Sequence, residues 1–256
     1  MGFAKIPGDK SISHRAAILG ALADGETRVS GLLEGEDVLS TCAAMRALGA
    51  TVEQVPGNTG EWRIQGGGVE ALSAPSEDLD MGNSGTAVRL LMGFVAALPF
   101  SCTFVGDASL SKRPMQRVMT PLGQCGAAFN AAEGGRLPLT VTGLSPAKPI
   151  DYELPVASAQ VKSAILLAGL NAEGETRVIE PRATRDHTEL MLKHFGVNVV
   201  VEELSTGGRS IRLVGGQRLT ARNVVVPADI SSAAFPLVAA LLVPGSLAIV
   251  SAAFPA

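Results

Sequence analysis

Lysine and arginine gather in this sequence where helices should begin, as in Pro7-Gly8-Asp9-Lys10-Ser11-Ile12-Ser13-His14-Arg15 and Ser111-Lys112-Arg113-Pro114-Met115-Gln116-Arg117. A helix N-terminus carries partial positive charge, so cations are disfavoured there unless an anion binds. The chain supplies its own contrast in Glu34-Gly35-Glu36-Asp37, an ordinary acidic start. In the first stretch Lys10 stands at the helix entrance, and Ser11 and Arg15 share a face at i, i+4. In the second, Pro114 suits the first helical position and holds Arg113 extended beside exposed N–H groups. Asn83-Ser84-Gly85-Thr86 has no acid, and Gly85 allows a ligand close to the backbone, with Arg89 one turn further on. Ser158-Ala159-Gln160-Val161-Lys162 offers a hydroxyl, an amide and a lysine in a first turn. In Thr184-Arg185-Asp186-His187-Thr188-Glu189, Arg185 precedes a helix that carries acids, so an ion pair competes with ligand binding. Taken singly, a capped surface helix or a solvated basic turn accounts for each stretch. Their repetition points to phosphate or carboxylate ligands.

The elements that must position these residues recur. One unit opens with small polar residues and runs into an apolar helix, at Ser11, Asn83, Ser158 and Ser231. Two of the strands that follow are nearly identical, Gly25-Glu26-Thr27-Arg28-Val29 and Gly174-Glu175-Thr176-Arg177-Val178. The other unit ends its helix in Leu48-Gly49-Ala50, Cys125-Gly126-Ala127 or Phe195-Gly196-Val197, where glycine suits a left-handed C-cap. A hairpin comes next, with second arms Trp62–Gly66, Leu137–Gly143 and Ser210–Gly215. The pattern predicts an α/β fold of three βαβαββ-like modules. The fourth polar-apolar unit stops after its strand without a polar cap, so the chain is expected to break off within a module.

With 256 residues, 46% hydrophobic and 18% charged, the chain can bury a large core. A net charge of −3 gives no overall attraction to nucleic acid or an anionic membrane. Ile230–Ala256 has no charged residue. Pro236 and Pro244-Gly245 should divide it into a helix of about three turns and a strand, Ser246–Val250, both buried core. The apolar end, roughly Phe235 to Phe254, is expected to self-associate or to be partly disordered. Cys42, Cys102 and Cys125 lack metal-ligand spacing and cannot all pair, which fits a reducing compartment. No apolar signal region opens the sequence, and a cytoplasmic location is expected. His14, His187 and His194 lack a metal-ligand arrangement and are read as structural or supporting polar groups. Walker, dinucleotide-binding and Ser-His-Asp signatures are absent from the sequence.

Pro7–Arg15 resembles the N-terminal signature of the EPSP synthases (3-phosphoshikimate 1-carboxyvinyltransferases). Gly82–Thr86, Lys112–Met115, Ala157–Ser163 and Thr184–Thr188 are similar to further motifs of that family in the same order, in wording nearest the bacterial class II branch. The resemblance runs from about Ala4 to Val250. It implies a two-domain inside-out α/β barrel, with residues 8–228 forming the first domain, residues 229–256 beginning the second, and residues 1–7 giving the second a strand. It implies transfer of the enolpyruvyl group of phosphoenolpyruvate to the 5-hydroxyl of shikimate 3-phosphate, without metal or organic cofactor. By the same resemblance Lys10 meets both substrates. Ser11, Arg15, Ser158, Ala159, Gln160 and Arg185 hold shikimate 3-phosphate, and Gly85, Thr86 and Arg113 hold phosphoenolpyruvate.

The family draws its key acids, and further Arg and Lys contacts, from the second domain, so this chain alone is expected not to turn over. A separate chain carrying that domain is an expected partner. An alternative is a non-catalytic fragment that binds phosphate ligands. A lesser one is a UDP-N-acetylglucosamine enolpyruvyl transferase, which commonly needs a catalytic cysteine.

Overall fold

The computed structural model describes residues 5–242. In chain order the elements are α1 (Lys10–Leu22), β1 (Gly25–Ser30), α2 (Glu36–Ala47), β2 (Thr51–Gln54), β3 (Trp62–Gly66), β4 (Leu79–Asp80), α3 (Gly85–Val95), β5 (Ser101–Val105), α4 (Gln116–Gln124), β6 (Ala128–Ala132), β7 (Arg136–Thr142), β8 (Asp151–Glu153), α5 (Ala159–Gly169), β9 (Glu175–Glu180), α6 (His187–His194), β10 (Val199–Glu203), β11 (Arg209–Val214), β12 (Val224–Val225) and α7 (Ile230–Leu242). Single 3-10 turns cover Val69–Ala71 and Leu110–Lys112.

The strands form three four-stranded sheets of one design, β4-β5-β7-β6, β8-β9-β11-β10 and β12-β1-β3-β2. In each, a short leading strand runs parallel to the strand after the apolar helix, and a hairpin completes the sheet antiparallel. Three modules are therefore present, but the first takes its leading strand, β12, from nearly two hundred residues away. The first and third modules are thereby linked through main-chain bonds. A second return contact lies nearby, where Asp9 N–H donates to Pro227 O at 2.8 Å and Asp229 N–H donates to Pro7 O at 2.8 Å. Most of the strand expected over residues 1–7 lies outside the described residues.

Helices α1, α3 and α5 are buried nearly all round and form the centre. They run in the same direction, since Arg15 near the start of α1 meets Ser163 near the start of α5, and Thr86 opening α3 meets Gln160 opening α5. The sheets lie outside them, with alternating burial such as that of Trp62–Gln65. Glycine makes the helix-to-sheet contact possible. A Cβ on Gly66 would lie 2.4–2.5 Å from the carbonyl oxygens of Gly20, Ala21 and Ala23 at the end of α1, and Gly143 and Gly215 repeat this below α3 and α5. The α2, α4 and α6 ends turn on Gly49, Gly126 and Gly196, all at positive φ, as the sequence predicts.

The helix of about three turns expected in the apolar end is α7, whose 13 residues run through Pro236 to Leu242. One expectation needs correction, because α7 is not buried core among the described residues. Phe235 and Leu241 are more than four-fifths exposed and only Ala233 is buried, because no described element packs on the outward face. The strand expected at Ser246–Val250 lies outside the described residues, as does most of the apolar end beyond α7.

Candidate functional site

The shared direction of α1, α3 and α5 brings three N-termini to one end of the molecule. None has an acid in its first turn, whereas α2 begins with Glu36 and Asp37. Each is capped by a short polar side chain. Asp9 accepts from Ile12 N–H at 2.8 Å, Ser84 from Ala87 N–H at 3.2 Å, and Ser158 from Val161 N–H at 3.4 Å. Capping occupies an acceptor of Ser158 and leaves its hydroxyl proton free to donate.

Around the α3 start, Arg113 spreads over Asn83, donating Nη2 to Oδ1 at 2.6 Å and Nη1 to the carbonyl at 3.4 Å. Asn83 in turn donates to Asp107 at 2.7 Å, and Asp107 also accepts from Leu110 N–H. These bonds hold the Asp107 carboxyl below its usual range, the Asn83 bond first. Gly85 sits beneath two guanidiniums, for a Cβ there would be 2.8 Å from Arg89 Nη1 and 3.1 Å from Arg113 Nη1. The Gln160 amide bridges α5 to α3, donating to Thr86 Oγ1 at 3.0 Å and accepting from Arg89 Nη1 at 3.1 Å. Burial, with the nearby charges of Arg117 and Arg113, lowers the Arg89 pKa to about 10. Among the described residues Arg89 forms no ion pair with an acid, and its Nε is buried without a partner. Three arginines thus share a small region, as an anion site requires.

Around the α1 start, Lys10 is exposed and forms an ion pair with Asp37 of α2. Ser11 is half-buried beside it. Arg15 is almost fully buried and spread across three elements. Its Nε donates to Thr188 Oγ1 at 2.7 Å, its Nη2 to Ser163 Oγ at 2.7 Å, and its Nη1 to the Ser11 carbonyl at 2.9 Å. Burial pulls its pKa down to about 10 against the opposing pull of Glu189. His14, wholly buried, shares a hydrogen bond with Thr41 Oγ1 at 2.8 Å, and burial drives its pKa down to about 3. Arg185 is exposed just ahead of α6 and close enough to Arg15 to affect its charge.

The structure brings the sequence-predicted residues to one end of the central helices, with adjustments. Pro114 is not the first helical residue. Met115 caps α4, and its N–H is taken by Gly135 O, although Arg113 is extended as expected (φ −83°, ψ 125°). Lys162, grouped from sequence with the α5 start, faces inward and is fully buried between Glu180 and Glu189. Glu189 is therefore committed to Lys162 and does not pair with Arg185. Arg89 was visible in the sequence one turn beyond Gly85, but its contact with Gln160 depends on the packing of α3 on α5. Thr188, Ser163 and Asp37 stand in stretches that the sequence singles out, but their bonds to Arg15 and Lys10 could not be read there, because each partner lies on another element. Among the described residues, no group of three or more His, Cys, Asp or Glu could hold a metal ion.

This arrangement can be compared with proteins already characterised. The sequence matches the family described as EPSP synthase (3-phosphoshikimate 1-carboxyvinyltransferase) over residues 1–254. The chain belongs to the EPSP synthase family. It is 65% identical over 245 residues to a 3-phosphoshikimate 1-carboxyvinyltransferase of Paramagnetospirillum magneticum, covering 96% of this chain and 54% of that protein. Against the corresponding protein of Granulibacter bethesdensis the identity is 64% over 242 residues, covering 94% and 53%. A solved EPSP synthase of Acinetobacter baumannii superposes with a TM-score of 0.85 at 52% identity, covering 93% of this chain and 52% of that one. The fold is thus that of the EPSP synthases, and this chain spans about half the length of the curated relatives it matches.

Proposed function

We propose that this chain forms one wall of an active site that transfers the enolpyruvyl group of phosphoenolpyruvate to the 5-hydroxyl of shikimate 3-phosphate. The observation that carries this reading is the convergence of three acid-free helix N-termini with Lys10, Arg15, Arg89, Arg113 and Arg185. Two polyanionic reactants meet only if their charge is offset, and fixed cations and N–H dipoles provide this without reorganisation.

Gly85, Thr86 and Arg113 form the phosphoenolpyruvate side. Ser11, Arg15, Ser158, Ala159 and Arg185 form the shikimate 3-phosphate side, with Lys10 reaching both. Gln160, assigned to shikimate 3-phosphate, also touches Thr86, which supports its position at the join. In the addition step the 5-hydroxyl gives up its proton as its oxygen bonds to C2 of phosphoenolpyruvate, and the C2–C3 double bond takes up a proton at C3. In the elimination step C3 gives up a proton, the double bond re-forms and the C2–O bond breaks to release phosphate. Both steps need acid-base groups. Acids beside these helix starts already serve elsewhere, Asp9 on the α1 cap, Asp37 on Lys10 and Asp107 on Asn83. We therefore assign proton transfer to the half of the relatives that this chain does not span, and take residues 8–228 and 229–256 as parts of two domains.

A cysteine-dependent sugar-nucleotide transferase is disfavoured. Burial pushes the thiols of Cys42, Cys102 and Cys125 up to about 11, 12 and 11. Three unpaired cysteines accord with a cytoplasmic setting, and no helix among the described residues is long and apolar enough to cross a membrane.

Phosphate release is the test, with both substrates supplied to this chain alone and to a mixture with the C-terminal half of a 3-phosphoshikimate 1-carboxyvinyltransferase. Release in the mixture alone is expected. Release by the single chain would overturn the assignment of proton transfer. Release in neither, with no binding of either substrate by calorimetry, would overturn the proposed function.

A further inference from the structure

The side chain of Lys162 is wholly inaccessible, and its Nζ lies 3.1 Å from Glu180 Oε2 and 2.6 Å from Glu189 Oε1. Glu180 closes β9 and Glu189 lies in the first turn of α6, so one lysine from α5 ties together both ends of the segment between them. Glu180 Oε2 also accepts from Thr184 Oγ1 at 2.6 Å, in the middle of that segment and next to Arg185. At its end, Thr188 Oγ1 accepts from Arg15 Nε and is 2.7 Å from Ser163 Oγ, itself bonded to Arg15 Nη2.

A buried ion triad of this kind is a poor source of stability. Desolvating the charges costs about what their attraction returns, and apolar residues of similar volume often do as well. What it supplies is direction, because the carboxylates accept only from groups in fixed positions.

We propose that Lys162 is a positioning residue. Through Glu180 and Thr184 it sets the segment that presents Arg185, and through Glu189 and the α6 start it sets Thr188 and hence the guanidinium of Arg15. This deepens the reading given above and rests on Arg15 and Arg185 holding shikimate 3-phosphate.

The most direct probe is the Thr184 hydroxyl, because it joins the triad to the segment without lying in the core. Thr184→Val removes the bond to Glu180 at nearly constant volume, and Thr184→Ser retains it. Amide hydrogen exchange at Arg185–His187 is measured on the chain without substrate, together with the urea midpoint and the Kd for shikimate 3-phosphate. In Thr184→Val, exchange should quicken at least tenfold and Kd should rise about tenfold with the urea midpoint unchanged, while Thr184→Ser stays near the parent chain. Lys162→Met should loosen the same amides and also lower the urea midpoint, since two buried carboxylates lose their cation. Parent-like exchange at Arg185–His187 in both Thr184→Val and Lys162→Met would overturn the proposal. If the parent chain fails to bind shikimate 3-phosphate, the assignment of Arg15 and Arg185 to that ligand falls, and the exchange rates still decide whether the tether exists.

Discussion

Replacing Gly85 with alanine tests the anion site at its tightest point. Gly85 opens α3 and has no positive φ, so the backbone accepts alanine, and the added methyl favours a helix by up to ~1 kcal/mol. The new Cβ would lie 2.8 Å from Arg89 Nη1 and 3.1 Å from Arg113 Nη1, inside the 3.4 Å at which ordinary contact begins. Both neighbours are ends of flexible side chains, so the fold yields cheaply and the guanidiniums retreat by about half an ångström. At an effective dielectric constant of ~20, opposite charges ~4 Å apart attract by ~4 kcal/mol, and this retreat removes ~0.5 kcal/mol from each of two pairs. Misaligning one charge-assisted hydrogen bond adds ~1 kcal/mol. The total of ~2 kcal/mol corresponds to about a 30-fold loss in affinity for phosphoenolpyruvate. Calorimetry on Gly85→Ala in the presence of shikimate 3-phosphate, with urea unfolding in parallel, would show weaker phosphoenolpyruvate binding at undiminished stability. Unchanged phosphoenolpyruvate affinity would refute the reasoning, because the ligand would then not depend on guanidiniums held above Gly85.

Two further outcomes follow from the packing. Gly66→Ala should destabilise the chain by ~1–3 kcal/mol in urea, because its Cβ would meet carbonyl oxygens of α1 that cannot retreat as a side chain can. His14 should make the chain acid-sensitive. Its folded pKa of about 3 lies below the usual 6.5, so between those values the unfolded chain binds a proton that the native chain refuses. Stability should therefore fall by ~2 kcal/mol from this group between pH 7 and pH 5. The lowered pKa of His187 adds loss of the same sign. Urea midpoints of His14→Asn at the two pH values should show a correspondingly shallower dependence.

Local chemistry made much of this molecule legible in its sequence. Gly49, Gly126 and Gly196 marked helix ends because only a residue without Cβ enters the left-handed region cheaply, and all three do so. The alternation of the hairpin arms announced half-buried strands, and the apolar runs after the polar starts of α1, α3 and α5 announced helices. The cationic helix starts were equally plain, since a lysine or arginine beside a helix start is visible one residue at a time.

What tertiary structure decided was pairing across modules. That β12 completes the first sheet could not be read from two residues, Val224 and Val225, because so short a strand has no period. Lys162 stood in the sequence beside Gln160 as one more cation. Only the packing of α5 on β9 and α6 turned it inward onto Glu180 and Glu189, while Gln160, two residues earlier, faces α3. A helix turns about 100° per residue, so neighbours in sequence face different partners. Which partner waits on each face is a property of the assembled modules, and that assembly divides the cations of this chain between the shared end of the central helices and the core.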